Sequence, residues 1–126
     1  MKDVLFNYFQ KIVGSDVYLD GDNILIVDLR SSYGDLKLTC DFKDNNFVVE
    51  GSVDEDQYCA LFMVDEDEIE DLDDWNTTNK YTDISKALER CQDILDSYES
   101  ESSGSDVFEV DDPDDLFSGA IKLVQK

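Results

Sequence analysis

Residues 36–42 read Leu-Lys-Leu-Thr-Cys-Asp-Phe, so every second side chain is apolar. Successive side chains of a β-strand point to opposite faces of the sheet, and this alternation is typical of an antiparallel strand with one face against the core. Residues 43–46, Lys-Asp-Asn-Asn, predict a turn directly after it. The pattern therefore predicts a half-buried antiparallel strand that ends in a reversal of the chain.

The segments on either side extend this strand into a sheet. Val17–Leu19 and Ile24–Leu29 predict a hairpin, because residues 20–23, Asp-Gly-Asp-Asn, are a strong turn signal. Phe47–Val53 alternates again, and the almost continuously apolar Tyr58–Val64 predicts a central strand. We therefore expect an antiparallel β-meander of about five strands.

Three other segments carry apolar residues at helical spacing. Val4–Val13 predicts an N-terminal helix, and Asp83–Tyr98 predicts a longer one with Thr82 as its cap. The last predicted helix begins at Pro113 with Asp112 as its cap, and its lysines fall in the last turn, which is the charge order that the helix dipole favours. The expected fold is α+β, with the N-terminal helix and the two C-terminal helices packed on the sheet.

The length and composition fit one domain. The chain has 126 residues, of which 41% are hydrophobic, and this supports a single core over residues 1–126. Acidic loops are expected at approximately 65–80 and 99–106, followed by a short strand at Val107–Val110.

Cysteine usage and hydropathy bear on location. Cys40, Cys59 and Cys91 are an odd number without close pairing, which is typical of reduced thiols in a cytoplasm. No apolar run reaches the roughly 18 residues that a membrane-spanning helix needs. Residues 1–13 contain Asp3 and no small-residue cleavage site, so no secretory signal is predicted. We expect a cytoplasmic protein, in the host cell if it is phage-encoded.

The residue types that are absent exclude several kinds of chemistry. The chain has no histidine, which removes the commonest general base, the histidine-dependent nucleophile arrangements and nearly every transition-metal site. A paired-carboxylate hydrolase needs two acids in different environments, and nothing distinguishes two of the 32 acidic residues from the others. We therefore expect no enzyme activity, no cofactor and no metal site.

Charge is the most unusual property of the chain. The 32 acidic and 10 basic residues give a net charge of −22. No Lys or Arg occurs in residues 44–79 or 91–121, which hold 13 and 10 acids respectively. Solubility needs a net charge of only about 2 to 8 in magnitude, and a larger excess destabilises the compact state. Adaptation to high salt would make lysine scarce, yet eight of the ten bases are lysine. The charge therefore indicates a function that depends on it.

The densest segment, residues 65–75, has eight acids in eleven positions. A calcium loop of the EF-hand type needs Gly at position six and Glu at position twelve. A loop starting at Asp65 would have Glu70 and Asn76 there, and one starting at Asp71 would have Asn76 and Thr82. The segment therefore does not predict a dedicated calcium site.

Besides calcium binding and paired-carboxylate hydrolysis, an acidic segment can imitate a nucleic-acid backbone. Phosphates along one DNA strand recur every ~3.4 Å of helix axis. Acids two apart on a β-strand lie about 6.6–6.8 Å apart, and acids four apart on a helix lie roughly 5–6 Å apart. Both separations are close to the through-space distance between neighbouring phosphates. A basic groove could therefore accept the protein in place of its nucleic acid. Two interpretations of Trp75 are open: it anchors the interface, or it is a core or rim residue. The acids around residue 113 also have a structural explanation, because they fit helix capping. The candidate partner-binding residues are Asp54, Glu55, Asp56, Asp65, Glu66, Asp67, Glu68, Glu70, Asp71, Asp73, Asp74, Trp75, Asp111, Asp112, Asp114 and Asp115.

In size, acidity and mixed α+β character the chain resembles the phage-encoded DNA-mimic inhibitors of restriction and CRISPR effectors, a class that shares a strategy and no alignable motif. The resemblance implies an anti-CRISPR or anti-restriction inhibitor that blocks the basic DNA- or RNA-binding surface of a host protein, without binding nucleic acid or membrane itself. The chain is also similar to immunity proteins that neutralise basic nuclease toxins, and less closely to type III secretion chaperones. Those chaperones are dimers, and this chain lacks an obvious dimer helix between its third and fourth strands.

Overall fold

A computed structural model describes residues 2–70, 72–101 and 113–125. Over these residues the chain forms a single antiparallel sheet of five strands together with four α-helices. The elements, in chain order, are α1 (Lys2–Val13), β1 (Val17–Leu19), β2 (Ile24–Arg30), β3 (Asp35–Asp41), β4 (Asn46–Ser52), α2 (Glu55–Phe62), β5 (Thr77–Tyr81), α3 (Ile84–Glu101) and α4 (Pro113–Val124).

The strands lie side by side in chain order, so the predicted meander is confirmed. The alternation of residues 36–42 corresponds to β3, in which Leu38 lies opposite Val27 of β2 and Val49 of β4. All three side chains are buried in the core. The turn before β2 uses Gly21 at a φ of 85°, a backbone conformation that favours glycine.

The prediction of a fifth strand at Tyr58–Val64 is wrong, because these residues belong largely to α2. The helix begins with a capping box, in which the Asp54 carboxylate accepts from the Gln57 N–H and the Gln57 side chain accepts from the Asp54 N–H. It ends at Met63, whose φ of 56° is left-handed. The actual fifth strand is β5, Thr77–Tyr81, which falls inside the acidic loop predicted for residues 65–80.

The helices supply the other half of the core. α3 contacts β3, β4, β5 and α4, and α1 contacts β1, β2 and α4. The predicted cap of α3 is one residue off, because the Asp83 carboxylate, rather than Thr82, accepts from the Ser85 N–H at 3.0 Å. α3 also continues to Glu101, beyond the predicted helix end and into the loop predicted at 99–106. The rest of that loop, the predicted strand Val107–Val110 and the cap Asp112 lie outside the described residues.

The other face of the sheet mixes charges of both signs. Lys37 lies opposite Asp28 and Glu50 in the neighbouring strands, and Lys80 lies opposite Val48. Alternation places these residues on the side of the sheet away from the buried core positions. This face is therefore close to electrically neutral.

Two of the three cysteines are buried in the core. Cys40 and Cys91 are fully buried and unpaired, and burial raises the pKa of the Cys40 thiol to about 12. Burial likewise raises the pKa of Cys91 well above its usual value. Both thiols therefore stay protonated and unreactive in the folded protein.

In the described part of the chain, none of the helices combines the length and apolar character that crossing a bilayer requires.

Candidate acidic interaction surface

The first group of predicted contact residues lies at the start of α2. Asp54 caps the helix, Glu55 and Asp56 occupy its first turn, and all three are exposed. Carboxylates at a helix N-terminus interact favourably with the helix dipole. The Gln57 side chain also donates to the Ser31 carbonyl at 2.8 Å and to the Asp35 carboxylate at 2.9 Å. These bonds fix the beginning of α2 to the loop after β2 and to the first residue of β3.

The second group lies on residues 65–76, which we call the acidic segment. It contains two short 3₁₀ turns, Glu66–Glu68 and Leu72–Trp75. Ile69 and Leu72 are partly buried against the core. The Asn76 side chain donates to the Val53 carbonyl at 3.2 Å and to the Leu72 carbonyl at 3.0 Å. The acidic segment is therefore attached to the body of the protein at several points.

A row of aromatic rings provides a further attachment. Tyr58 packs on Phe62 with ring centroids 4.5 Å apart, and Phe62 meets Trp75 edge-on at 5.4 Å. Trp75 in turn stacks on Tyr98 of α3 at 6.0 Å with an interplanar angle of 26°. Such pairs contribute about 0.5–1.5 kcal/mol each beyond the area that they bury. Trp75 is partly buried in this row, where it holds the acidic segment against α2 and α3.

Tyr98 connects this row of rings to the sheet. Its side chain is buried, and its hydroxyl donates to the Asp35 carbonyl at 3.0 Å, with the Ser52 carbonyl at 3.4 Å. Burial, followed by the nearby Asp35 carboxylate, raises the pKa of Tyr98 to about 12. The phenol therefore stays neutral, and it joins α3 to the beginning of β3 and the end of β4.

The two acidic groups meet around Cys59, which lies on α2. Partial burial raises the pKa of this thiol, and four carboxylates raise it further. In decreasing order of effect they are Glu66, Asp56, Asp65 and Glu55. Two of them come from the first turn of α2 and two from the acidic segment, so the fold brings both groups to one place. We call these four residues the Cys59 cluster.

The carboxylates of this surface form no salt bridges among the residues that the structure describes. The one salt bridge there joins Arg30 to Asp28 at 3.3 Å, at the end of β2. All the predicted acids in residues 54–56, and those of the acidic segment other than Asp71, are exposed. The surface therefore displays an uncompensated negative charge on an ordered frame.

Helix α3 adds acids that the sequence analysis did not single out. Glu89, Asp93 and Asp96 are exposed and recur at helical spacing. Asp93 is one turn from Arg90 and Ser97, which line a cavity together with Asp74. The helical spacing of these acids within Asp83–Tyr98 is the signal in the sequence that identifies them.

Five predicted contact residues lie wholly or in part outside the residues that the structure describes. Asp71, Asp111 and Asp112 lie outside the described residues. Asp114 and Asp115 belong to the first turn of α4, and their side chains lie outside the description as well. In the ranges that the structure covers, no group of three or more Asp, Glu or Cys side chains is arranged to hold a metal ion.

Comparison with known protein families, with curated proteins and with solved structures gives no match to this chain.

Proposed function

We propose that this chain is a non-enzymatic, cytoplasmic inhibitor that presents carboxylates in place of nucleic-acid phosphates. It would occupy the basic DNA- or RNA-binding surface of another protein. One observation carries the proposal: the exposed acids of α2 and of the acidic segment converge in the Cys59 cluster on an anchored frame. An array that is ordered before binding loses less conformational entropy on association than a flexible tail does.

The chemistry of the surface suits a cationic groove. Arg and Lys side chains form short, charge-assisted hydrogen bonds with carboxylates, and Arg often binds one with two parallel bonds. The described acids have no internal cations to exchange for such a partner, apart from the Arg30–Asp28 pair. Binding of this type weakens as salt is added, since much of its free energy is electrostatic.

The test is capture of partners on the immobilised protein from a bacterial lysate at low and high salt, followed by elution with double-stranded DNA. A variant with four amides in the acidic segment removes the carboxylates but keeps the side-chain shapes. A matched control removes the same number of charges from exposed acids elsewhere in the chain. The variant is D65N/E66Q/D67N/E68Q, and the control is D16N/D20N/D22N/D44N.

We expect the unaltered protein and the control to capture a nucleic-acid-binding protein that DNA releases, and the segment variant to lose it. Equal loss in both variants would mean that net charge alone is responsible, which would refute a specific surface. Capture that DNA does not reverse would refute nucleic-acid mimicry. A captured nuclease that is inhibited through its active site would assign the chain to nuclease immunity instead.

A further inference from the structure

A cavity of about 370 Å³ lies between α3, the edge of the sheet and the second 3₁₀ turn of the acidic segment. Its walls include Trp75, Ile94 and Tyr98, with the hydroxyl-bearing Thr77 and Ser97 beside them. Small-molecule sites typically measure roughly 300–1,000 Å³ and combine apolar walls with a few polar groups. The cavity therefore has the size and lining of a site for a small ligand.

Two opposite charges line this cavity without being bonded to each other. The Nε atom of Arg90 is buried and has no hydrogen-bond partner among the described residues. Asp74 lines the same cavity, and no salt bridge joins the two in the part of the chain that the structure describes. A guanidinium group donates in a planar fork that fits a carboxylate. The cavity is thus lined by a donor for an anion and an acceptor for a cation, with apolar side chains beside them.

We propose that the cavity binds a free α-amino acid with an apolar side chain. Its carboxylate would pair with Arg90 and its ammonium group with Asp74, and its side chain would pack against the rings and Ile94. A simple anion would leave Asp74 without a partner, and a simple amine would leave Arg90 without one. A zwitterion avoids both outcomes because it carries one group for each. This inference is independent of the proposed function, since it requires no macromolecular partner.

Trp75 provides the measurement, because it is the only tryptophan of the chain and lines the cavity. The experiment titrates the protein with L-leucine and follows tryptophan fluorescence. Isocaproate, which lacks the amino group of leucine, and isoamylamine, which lacks its carboxylate, are titrated in parallel. We expect a saturable response to leucine and weaker binding of both analogues, because each leaves one charged group without its partner. The loss should be larger for isoamylamine, at least about tenfold, because it leaves the partly buried Arg90 unpaired, whereas isocaproate leaves only the exposed Asp74 unpaired.

Two variants separate this site from general effects of charge. R90Q should weaken leucine binding at least about tenfold, as expected for the loss of a charge-assisted bond. The matched control R30Q removes the exposed arginine on β2 and should bind leucine normally. D74N should weaken leucine binding and strengthen isocaproate binding. A folding defect would weaken both ligands, so these opposite changes keep the proposal testable even if R90Q is unstable.

The proposal is overturned if leucine gives no saturable response, or if R90Q binds it as tightly as the unaltered protein does. Isocaproate binding as tight as that of leucine would also overturn it, because the cavity would then be a simple anion site. None of these results bears on the capture of a nucleic-acid-binding protein, so the two proposals fail separately.

Discussion

Replacing Gly34 by alanine introduces a methyl group into a space that the ring of Tyr98 already fills. The added Cβ would lie 2.8 Å from the ring Cζ, 2.9 Å from Cε2 and 3.1 Å from Cε1. Carbon atoms pack best about 3.5–4.0 Å apart. The ring is held in place, because its hydroxyl donates to the Asp35 carbonyl and its face stacks on Trp75. A Cβ added at Gly51 would lie 3.3 Å from that hydroxyl.

The size of the effect follows from two opposing contributions. Overpacking a core costs about 1–3 kcal/mol. Gly34 does not have the left-handed backbone of Gly14 and Gly21, so alanine can adopt its conformation. At such a site a Gly-to-Ala change by itself stabilises by about 0.4–1 kcal/mol, because the unfolded chain has less freedom to lose. We therefore expect G34A to lower the free energy of unfolding by about 1.3 kcal/mol, the midpoint of a range of about 0–2.6 kcal/mol that is the overpacking cost less this gain.

A double-mutant cycle isolates the contact. Urea unfolding is measured for the unaltered protein, G34A, Y98L and G34A/Y98L, with the urea dependence compared to verify that the transitions are alike. Leucine lacks the ring that the new methyl group would strike, so G34A should be neutral or stabilising in the Y98L background. If G34A costs the same free energy with and without the ring, the clash with Tyr98 is not the cause and the reasoning is wrong.

Three further predictions concern the titratable and charged groups. The melting temperature should rise as NaCl is added from low ionic strength, because salt screens repulsion among carboxylates; a flat or falling response in a thermal scan would contradict this. Cys59 should react faster with iodoacetamide in an E66Q variant, because loss of that carboxylate lowers the raised pKa of the thiol and increases its thiolate fraction. Buried Cys40 should stay unmodified in both proteins, and equal Cys59 rates by mass spectrometry would argue against the cluster. The bonds from Ser85 lower the pKa of Asp83, so the stability that its carboxylate contributes is present above its unfolded pKa and lost as the pH falls through the folded one. The difference in melting temperature between the unaltered protein and D83A should therefore shrink as the pH falls below 3.8, and a constant difference would disprove this role.

Much of the fold could be predicted from the sequence because the apolar pattern of most elements matches their burial. In β3 every second residue is buried, and α1 and α3 bury the stripe that their spacing indicates. The error at Tyr58–Val64 arose because a short apolar run fits either a strand or a buried helix. The capping box of Asp54 and Gln57 stabilises the helical form of this run, because it satisfies backbone N–H groups at the start of α2. The last strand, β5, was missed because its sequence, Thr-Thr-Asn-Lys-Tyr, has almost no apolar alternation.

The candidate site was only partly predictable for a different reason. The density of acids in residues 65–75 is a property of the sequence and could be found there. The meeting of Asp56 with Glu66 around Cys59 depends on the helical form of α2 and on the left-handed residue Met63 that ends it. The stacking of Trp75 on Tyr98 likewise joins residues 23 positions apart in the sequence. Such contacts follow from tertiary packing, which no local pattern encodes.

The neutral composition of the outer sheet face, where Lys37 lies between Asp28 and Glu50, has a consequence for how the molecule moves. The exposed carboxylates of α2 and of the acidic segment come together in the Cys59 cluster, so the described surface does not carry its charge evenly. The field of a cationic body then exerts a torque on the molecule while the two are still separated by solvent. If the partner is cationic, as we propose, rotation that turns the Cys59 cluster toward it would precede contact, and a larger fraction of collisions would begin in the correct orientation.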